Sequence, residues 1–207
     1  GKDLTGFTKP KQLLPVNEVM DIVCRIAEAL SYAHNQTVVH RDIKPANIMY
    51  DARSNSIKVT DFGIARVTAS SRTRTGVILG TPSYMSPEQL AGKHVDGRSD
   101  LFSLGVMTFE LLTGQLPFQG ESLTTLMYQI ANEPHPEIRT LRADLPPCIR
   151  AFMDRALAKD PADRFASCGE LVLAAQAALV ARTRAPRTTI GRAEMPPPPP
   201  APRARPV

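Results

Sequence analysis

The amino-acid sequence predicts a mainly helical fold with one short β-hairpin. Apolar residues recur at steps of three and four in several stretches of the 207-residue chain, and this is the period of an amphipathic helix. One stretch, residues 48–60, departs from that pattern and has the composition of a strand, a polar turn and a second strand. These two strands lie between the polar residues that indicate a function.

The predicted helices follow one another along the chain. Residues 19–33 contain the first apolar series, with Asn17 as its candidate cap and acidic residues in its first turn. The helix that begins near Asp100 is apolar nearly all round, so it should be buried, and Gly114 offers a C-terminal stop. Two later helices are opened by Pro147 and by the capping-box sequence Ser167-Cys168-Gly169-Glu170.

Two polar clusters flank the hairpin. The sequence His-Arg-Asp-Ile-Lys-Pro-Ala-Asn occupies residues 40–47, and Asp-Phe-Gly occupies residues 61–63. Because a hairpin returns its second strand to where the first begins, Asn47 and Asp61 should lie side by side. An amide oxygen and a carboxylate placed there suit Mg²⁺, which prefers hard oxygen ligands. Each motif alone has an ordinary explanation as turn or surface, but the combination favours a phosphoryl-transfer site.

With these motifs the sequence resembles the protein kinases, specifically the eukaryotic-type Ser/Thr kinases and their bacterial members. The resemblance covers residues 1–180 and implies a mainly α, kinase-like large lobe whose hairpin carries the catalytic and metal-binding loops. It also implies transfer of the γ-phosphoryl group of ATP to Ser and Thr hydroxyls of protein substrates, with ATP and Mg²⁺ as cofactors.

The resemblance implies a role for each residue of the two clusters. Asp42 would accept or orient the proton of the substrate hydroxyl. Lys44 would contact ATP and neutralise charge that develops on the transferred phosphoryl group. Asn47 and Asp61 would hold the magnesium ions and, through them, the nucleotide. His40 is interpreted as a structural residue that braces the loop.

Further expectations rest on the same resemblance. Glu88 would form a buried ion pair with Arg164, and Asp100 would accept hydrogen bonds from the backbone of the catalytic loop. Thr81 would shape the pocket beside the acceptor residue; its alternative explanation is a turn-forming Thr before Pro.

The segment between residues 64 and 80 is rich in Ser, Thr, Arg and Gly, and its composition cannot bury much apolar area. Arg41 directly precedes Asp42 and is placed to pair with a phosphate group on this segment, which predicts regulation by phosphorylation. The alternative is a solvated loop without a regulatory role. The candidate phosphate acceptors are Thr73, Thr75 and Ser71.

Two parts of the kinase pattern do not occur in the 207 residues: a G-x-G-x-x-G loop after a strand, and a strand lysine of the Val-Ala-Ile-Lys type. In the family these parts belong to the small lobe, which covers the ATP phosphates. We therefore expect a large lobe alone, with the missing small lobe as its partner. The isolated chain is expected to bind ATP weakly and to transfer little phosphate.

The net charge of +5 arises in the C-terminal tail. Residues 182–207 contain six Arg and one Glu, and the preceding residues contain nineteen basic and nineteen acidic side chains. This balance gives the body of the chain no electrostatic footprint for nucleic acid. Residues 181–207, with five consecutive prolines, are expected to be an Arg/Pro-rich disordered linker to an additional domain. Docking to a proline-binding groove or to anionic lipid is the alternative.

The three cysteines form no C-x-x-C pair and predict reduced thiols. The sequence shows neither a signal peptide nor an apolar run long enough to span a membrane, so we expect a cytoplasmic protein or the cytoplasmic part of a membrane-anchored one. Two functions remain open: an active Ser/Thr kinase, or a noncatalytic kinase-like scaffold that binds partners. The presence of all four of Asp42, Lys44, Asn47 and Asp61 favours the kinase.

Overall fold

A computed structural model of the protein describes residues 1–62 and 82–184, with side chains up to residue 180. The strands in these ranges are β1 (Lys2–Asp3), β2 (Ile48–Asp51) and β3 (Ser56–Val59). The helices are α1 (Val16–Asn35), α2 (Pro87–Leu90), α3 (Gly97–Thr113), α4 (Leu123–Asn132), α5 (Ile138–Leu141), α6 (Pro147–Ala156) and α7 (Cys168–Arg184). Short 3₁₀ helices cover Leu4–Thr8, Pro45–Asn47, Pro82–Tyr84 and Pro161–Asp163.

The three strands form an antiparallel sheet in the order β1-β2-β3. The hairpin predicted from the sequence is present, with Ile48 facing Val59 across β2 and β3. The expectation of a hairpin alone was incomplete, because Lys2 pairs with Tyr50 and adds β1 as a third strand. A strand of two residues is too short to show the alternation of apolar and polar side chains by which strands are predicted.

Helix α3 lies at the centre of the fold. Its apolar residues from Leu101 to Leu112 are buried, as the all-round apolar pattern predicted. The helix ends where Gly114 adopts a left-handed conformation with φ of 75°, and a side chain there would also approach Pro10 to within 3.1 Å. Gly114 is therefore required both by its backbone conformation and by close packing.

Helix α1 packs against α3 and α7 along its apolar face. The candidate cap Asn17 was a wrong prediction, because the helix begins at Val16, directly after Pro15. Proline fixes its own φ and leaves the next residue free to start the helix, and Asn17 falls within the first turn. Buried apolar side chains of α1, α3, α6 and α7 form one core, in which each large side chain contributes roughly 1.5–3 kcal/mol.

This arrangement determines where the polar clusters lie. Residues 40–47 follow α1, and the hairpin β2–β3 leads from them to Asp61. Asp100, in the first turn of α3, contacts the backbone of His40, and His40 contacts Thr60. In the ranges that the structure describes, no helix combines the length and the apolar character needed to cross a membrane.

Candidate active site

The two polar clusters meet at backbone positions that are unusual for residues other than glycine. Arg41 has φ of 66° and Asp61 has φ of 57°, both in the left-handed region. Such a conformation costs on the order of 1–3 kcal/mol per residue and persists only where the surroundings enforce it. Arg41 is held by hydrogen bonds at both its N–H and its carbonyl group, to Asp100 and Gln89.

Asp42, Lys44 and Asn47 form one hydrogen-bonded group. The Asp42 atom Oδ2 accepts a hydrogen bond from Lys44 Nζ at 2.8 Å and another from Asn47 Nδ2 at 3.1 Å. Asn47 Nδ2 also donates to the backbone oxygen of Asp42 at 2.8 Å. The side chains of Asp42 and Lys44 are each 24% exposed. The carboxylate is therefore held in one orientation, next to a positive charge, at a position that a substrate can reach.

His40 is fully buried and connects the two clusters. Its Nδ1 accepts the N–H of Asp42 at 3.3 Å, and its Nε2 donates to the carbonyl oxygen of Thr60 at 2.9 Å. One accepting and one donating nitrogen is the pattern of the neutral imidazole. The ring also packs on Phe62, with centroids 4.6 Å apart. His40 thus joins Asp42 to the residue that precedes Asp61.

Asp100, in the first turn of α3, holds the backbone of the loop. Its Oδ2 accepts the N–H of His40 at 2.8 Å, and its Oδ1 accepts the N–H of Arg41 at 2.7 Å. Asp100 is fully buried, so these bonds are protected from water. The two residues before Asp42 are therefore fixed from below by a single carboxylate.

His34, near the end of α1, is a third partner of Asp100 that the sequence analysis did not identify. Its Nε2 lies 2.8 Å from Asp100 Oδ2. Burial alone lowers the pKa of His34, but hydrogen bonds to Asp100 and to Cys168 outweigh burial and raise it to about 9. A protonated His34 therefore offsets the buried negative charge of Asp100. The apolar series predicted for this helix ended at residue 33, and nothing in the sequence indicated this ion pair.

Asn47 and Asp61 suit a hard cation. The N–H of Thr60 donates to the carbonyl oxygen of Asn47 at 2.9 Å, so Asp61 follows directly after the residue that faces Asn47. Both amide protons of Asn47 are used by Asp42, which leaves its side-chain oxygen Oδ1 for a cation. No group of three or more His, Cys, Asp or Glu within the described ranges is arranged to hold a metal. One carboxylate and one amide would leave most coordination positions of a Mg²⁺ ion to water and phosphate oxygens, which is the coordination that Mg²⁺ prefers.

Of the predicted regulatory residues, Arg41 alone lies among the residues that the structure describes. Ser71, Thr73, Thr75 and Thr81 lie outside the described residues. Arg41 is described, and its Nε is buried and meets no acceptor in the described part of the chain. Its carbonyl oxygen accepts a hydrogen bond at 3.0 Å from Gln89, whose helix is capped by Ser86. Gln89 was not among the predicted site residues, although Ser86 and Gln89 have the spacing of a capping box.

Glu88 and Arg164 form a buried ion pair with two parallel hydrogen bonds of 2.8 Å. The five N–H donors of Arg164 are all used: two on Glu88 and the others on the carbonyl oxygens of Ala158, Arg98 and Lys159. Burial alone raises the pKa of Glu88, but the hydrogen bonds to Arg164 and Ser99 lower it below its usual value. The pair joins α2 to the turn that precedes α7.

Tyr84 and Glu110 form a second buried contact that the sequence analysis missed. The Tyr84 hydroxyl donates to Glu110 Oε2 at 2.6 Å, and Ser103 donates to the Tyr84 carbonyl oxygen at 2.7 Å. Burial raises the pKa of Glu110, and burial together with this hydrogen bond raises the pKa of Tyr84. These bonds fasten the segment after residue 81 to α3.

Comparisons with known proteins indicate the family. A family model described as the protein kinase domain matches residues 1–176. Serine/threonine-protein kinase PknB of Mycolicibacterium smegmatis is 42% identical over 156 residues, which cover 73% of this chain and 25% of that protein. The chain therefore spans about a quarter of the length of this relative.

Two solved structures are similar as well. The Mycobacterium tuberculosis PknI kinase domain matches with a TM-score of 0.65 and 35% identity, covering 86% of this chain and 62% of that one. The structure of Rad53 1-466 in complex with AMP-PNP matches with a TM-score of 0.69 and 27% identity, covering 83% of this chain and 43% of that one.

Proposed function

The chain belongs to the protein kinase family, and from that premise we propose that it forms the large lobe of a Ser/Thr protein kinase. The proposed reaction transfers the γ-phosphoryl group of ATP to Ser or Thr hydroxyls of proteins. The observation that supports it best is the Asp42 carboxylate, held by Lys44 and Asn47 and joined through His40 to the end of the hairpin. The named PknB relative is a Ser/Thr kinase, and Rad53 was crystallised with AMP-PNP, an ATP analogue.

In this proposal Asp42 orients the substrate hydroxyl and accepts its proton as the oxygen attacks. Such a positioned base contributes roughly 10²- to 10⁴-fold in rate. Lys44 holds Asp42 in place, and its ammonium group supplies positive charge to the transferred phosphoryl. His40 and Asp100 are positioning residues in this proposal, because they hold the backbone N–H groups of residues 40–42.

Asn47 Oδ1 and the Asp61 carboxylate are the groups that would hold Mg²⁺. When bound, Mg²⁺ neutralises charge on the ATP phosphates and orients them. Asp61 is exposed, and its side chain lies 3.4 Å from the Thr60 hydroxyl. Because Thr60 is bonded to both Asn47 and His40, the metal ligands and Asp42 are held in one frame.

We also propose that a phosphate on Thr73, Thr75 or Ser71 is bound by Arg41. The buried Nε–H of Arg41, which meets no acceptor in the described residues, supports this proposal. A phosphate there would accept one or more charge-assisted hydrogen bonds. Replacement of Thr73 and Thr75 by Ala should lower activity, and mass spectrometry should detect phosphate on this segment of the unsubstituted protein. Unchanged activity and the absence of phosphate would refute the regulatory role.

The proposal also divides the chain into two parts. Residues 1–180 would form the lobe and residues 181–207 a linker; α7, as described, ends at Arg184. The glycine-rich loop and strand lysine of a small lobe do not occur among the 207 residues, so turnover would require these parts from elsewhere in the protein. Protein substrates would bind beside Asp42, in the region that Thr81 borders.

The function is tested by transfer of radiolabelled phosphate from ATP to a protein acceptor, using the full-length protein that contains these residues. Asp42→Asn should reduce transfer at least 100-fold with little change in thermal stability. Asp144→Asn, at a side chain that is 62% exposed, is the matched control and should retain full activity. Equal transfer by the Asp42→Asn variant would refute the assignment, and partner binding without any transfer would favour the scaffold.

A further inference from the structure

A second cluster of reactive groups lies behind the catalytic loop, in the part of the chain that the structure describes. Cys168 at the start of α7 places its Sγ 3.4 Å from Nδ1 of His34. The other ring nitrogen of His34 lies 2.8 Å from Asp100, which in turn holds the N–H groups of His40 and Arg41. A sulfur, an imidazole and a carboxylate thus form a continuous chain of contacts that ends next to Asp42.

This cluster borders a cavity. The cavity has a volume of about 290 Å³ and lies between the end of α1, the start of α3 and the start of α7. Both His34 and Cys168 line it, and the His34 side chain is 19% exposed, so the cavity opens to solvent. Gly97 makes the cluster possible, because a Cβ atom there would lie 2.6 Å from His34 Nδ1 and would push the ring away.

The protonated His34 distinguishes Cys168 from the other two cysteines. An imidazolium donates from both nitrogens, so Nε2–H bonds to Asp100 and Nδ1–H points to the Cys168 sulfur. Cys24 is in the opposite situation, because burial and the charges of Asp21 and Glu28 raise its pKa to about 11. The Cys148 S–H instead donates to the carbonyl oxygen of Ala178 at 3.5 Å. Of the three sulfurs, Cys168 is the one that accepts a hydrogen bond from a cation.

We propose that Cys168 is a site of covalent modification by small electrophiles, in particular hydroperoxides, and that its modification is transmitted to the catalytic loop through His34 and Asp100. The sulfur attacks the terminal oxygen of a hydroperoxide ROOH and the O–O bond breaks. The departing oxygen takes the thiol proton and leaves as ROH, while Cys168 becomes a sulfenic acid. Sulfur loses two electrons and the peroxide gains them. The His34 N–H is placed to donate to the departing oxygen.

Oxidation of Cys168 would change the contact between His34 and Asp100. An oxygen atom added to Sγ on the side that faces His34 would enter the gap between the sulfur and His34 Nδ1, which is 3.4 Å wide. The ring is displaced from Asp100, and the fully buried carboxylate loses its cationic partner. The backbone of His40 and Arg41 is then held less firmly. The part of the inference that concerns activity rests on the proposed kinase function, whereas the modification itself does not.

The first test compares the cysteines of one chain. After brief treatment with iodoacetamide, peptide mapping by mass spectrometry should show Cys168 alkylated at least tenfold faster than Cys24, although these two residues are only 2% and 6% exposed. His34→Gln keeps a polar group near Asp100 but removes the cation, and should slow Cys168 alkylation several-fold. Alkylation of Cys168 no faster than Cys24, or at a rate unchanged by His34→Gln, would overturn the proposal. If the variant does not fold, the comparison within the unsubstituted chain decides.

The second test measures transmission to the loop. Hydrogen peroxide should add one oxygen to the peptide that contains Cys168, and amide hydrogen exchange of the peptide containing His40 and Arg41 should then accelerate. Cys168→Ala treated in the same way is the control and should show no acceleration. Equal exchange in oxidised and untreated protein would overturn the coupling. Neither readout requires phosphate transfer, so failure of the kinase assay alone would count only against the proposed function.

Discussion

At the scale of single residues, Asp100 holds the backbone of the loop that is proposed to be catalytic. Its two oxygens, fully buried, contact His34 and the N–H groups of His40 and Arg41. A buried backbone N–H without a partner costs about 1–3 kcal/mol, and a stranded buried charge costs more. Asp100 therefore stabilises the left-handed conformation of Arg41 and, through it, the position of Asp42.

Replacement of Asp100 by Ala should lower the free energy of unfolding by about 3–5 kcal/mol, because two N–H donors and the charged His34 lose their partner. Urea unfolding measures this loss. Asp96→Ala is the matched control, since Asp96 caps the same helix from an exposed position and its loss should cost about 1 kcal/mol. Similar losses in the two variants would show that the loop does not depend on Asp100.

The ion pair of His34 with Asp100 should make stability depend on pH. The pKa of His34 is raised from 6.5 to about 9 in the folded state, so its contribution is fully present below pH 6.5 and is lost as pH rises through 9. The difference in unfolding free energy between the unsubstituted protein and His34→Gln should therefore shrink by about 2–3 kcal/mol between pH 6 and pH 10. Other groups titrate in both proteins and cancel. A difference that stays constant with pH would contradict the prediction.

The types of the site residues could be predicted from the sequence, but several of their contacts could not. Asn47 and Asp61 are near in space because a hairpin joins them, and hairpins are local. His34 and Asp100 are 66 residues apart, and their contact depends on how α1 packs against α3. The left-handed φ of Asp61 could not be predicted either, because aspartate adopts this conformation only occasionally and the sequence does not show at which positions.

At the scale of secondary-structure elements, the pair of Glu88 and Arg164 joins segments that are distant in the sequence. Helix α2 has only four residues and cannot be stable alone. Arg164 fixes it by bonding Glu88 and three carbonyl groups, and the guanidinium also lies 4.8 Å from the centre of the Phe102 ring. This ion pair therefore holds α2 in place together with the Ser86 cap and the hydrogen bond from Gln89 to Arg41.

Replacement of Arg164 by Ala should lower the free energy of unfolding by about 3–5 kcal/mol, because Glu88 is left as an uncompensated buried charge. The control is Arg150→Ala, which removes the more exposed ion pairs of Arg150 with Glu137 and Asp154. Exposed pairs contribute about 0–1 kcal/mol, so the loss there should be small. Denaturant unfolding of both variants provides the comparison, and a loss below about 1 kcal/mol for Arg164→Ala would contradict the interpretation.

Long elements with a clear apolar period were predictable, and short ones were not. The pattern of α3 predicted both its burial and its end at Gly114. Strand β1 has two residues and forms only because β2 offers an edge, so no local pattern indicates it. The start of α1 was placed too late because Asn17 is a better cap than Pro15 by propensity, whereas the buried Val16 already belongs to the helix.

At the scale of the whole molecule, the 207 residues contain some of the groups that the proposed reaction needs but not others. The 207 residues supply the groups proposed to act on the acceptor hydroxyl and on the metal, namely Asp42, Lys44, Asn47 and Asp61. The glycine-rich loop and the lysine that contact the ATP phosphates in this family are not among them. If the chain is the proposed large lobe, nucleotide affinity should therefore depend on that loop and lysine far more than the chemistry at Asp42 does.

This division predicts how Mg·ATP changes thermal stability. At a concentration of about 100 times its dissociation constant, a ligand adds about 2.7 kcal/mol, which corresponds to roughly 5–10 °C in melting temperature for a domain of this size. We expect a shift of that size for a full-length protein that contains the glycine-rich loop and the lysine. For the 207-residue chain at the same Mg·ATP concentration we expect a shift of less than about 2 °C.

Asp61→Asn in the full-length protein should abolish most of the shift, because the substitution removes a carboxylate that would hold Mg²⁺, while Asp144→Asn should leave the shift intact. Differential scanning fluorimetry with Mg·ATP, ATP alone and Mg²⁺ alone separates nucleotide binding from metal binding. A large shift in the 207-residue chain would show that this lobe binds nucleotide without the glycine-rich loop. Removal of a carboxylate that binds Mg²⁺ must weaken Mg·ATP binding and so reduce the shift in melting temperature. An undiminished shift in Asp61→Asn would therefore show that Asp61 does not hold the metal.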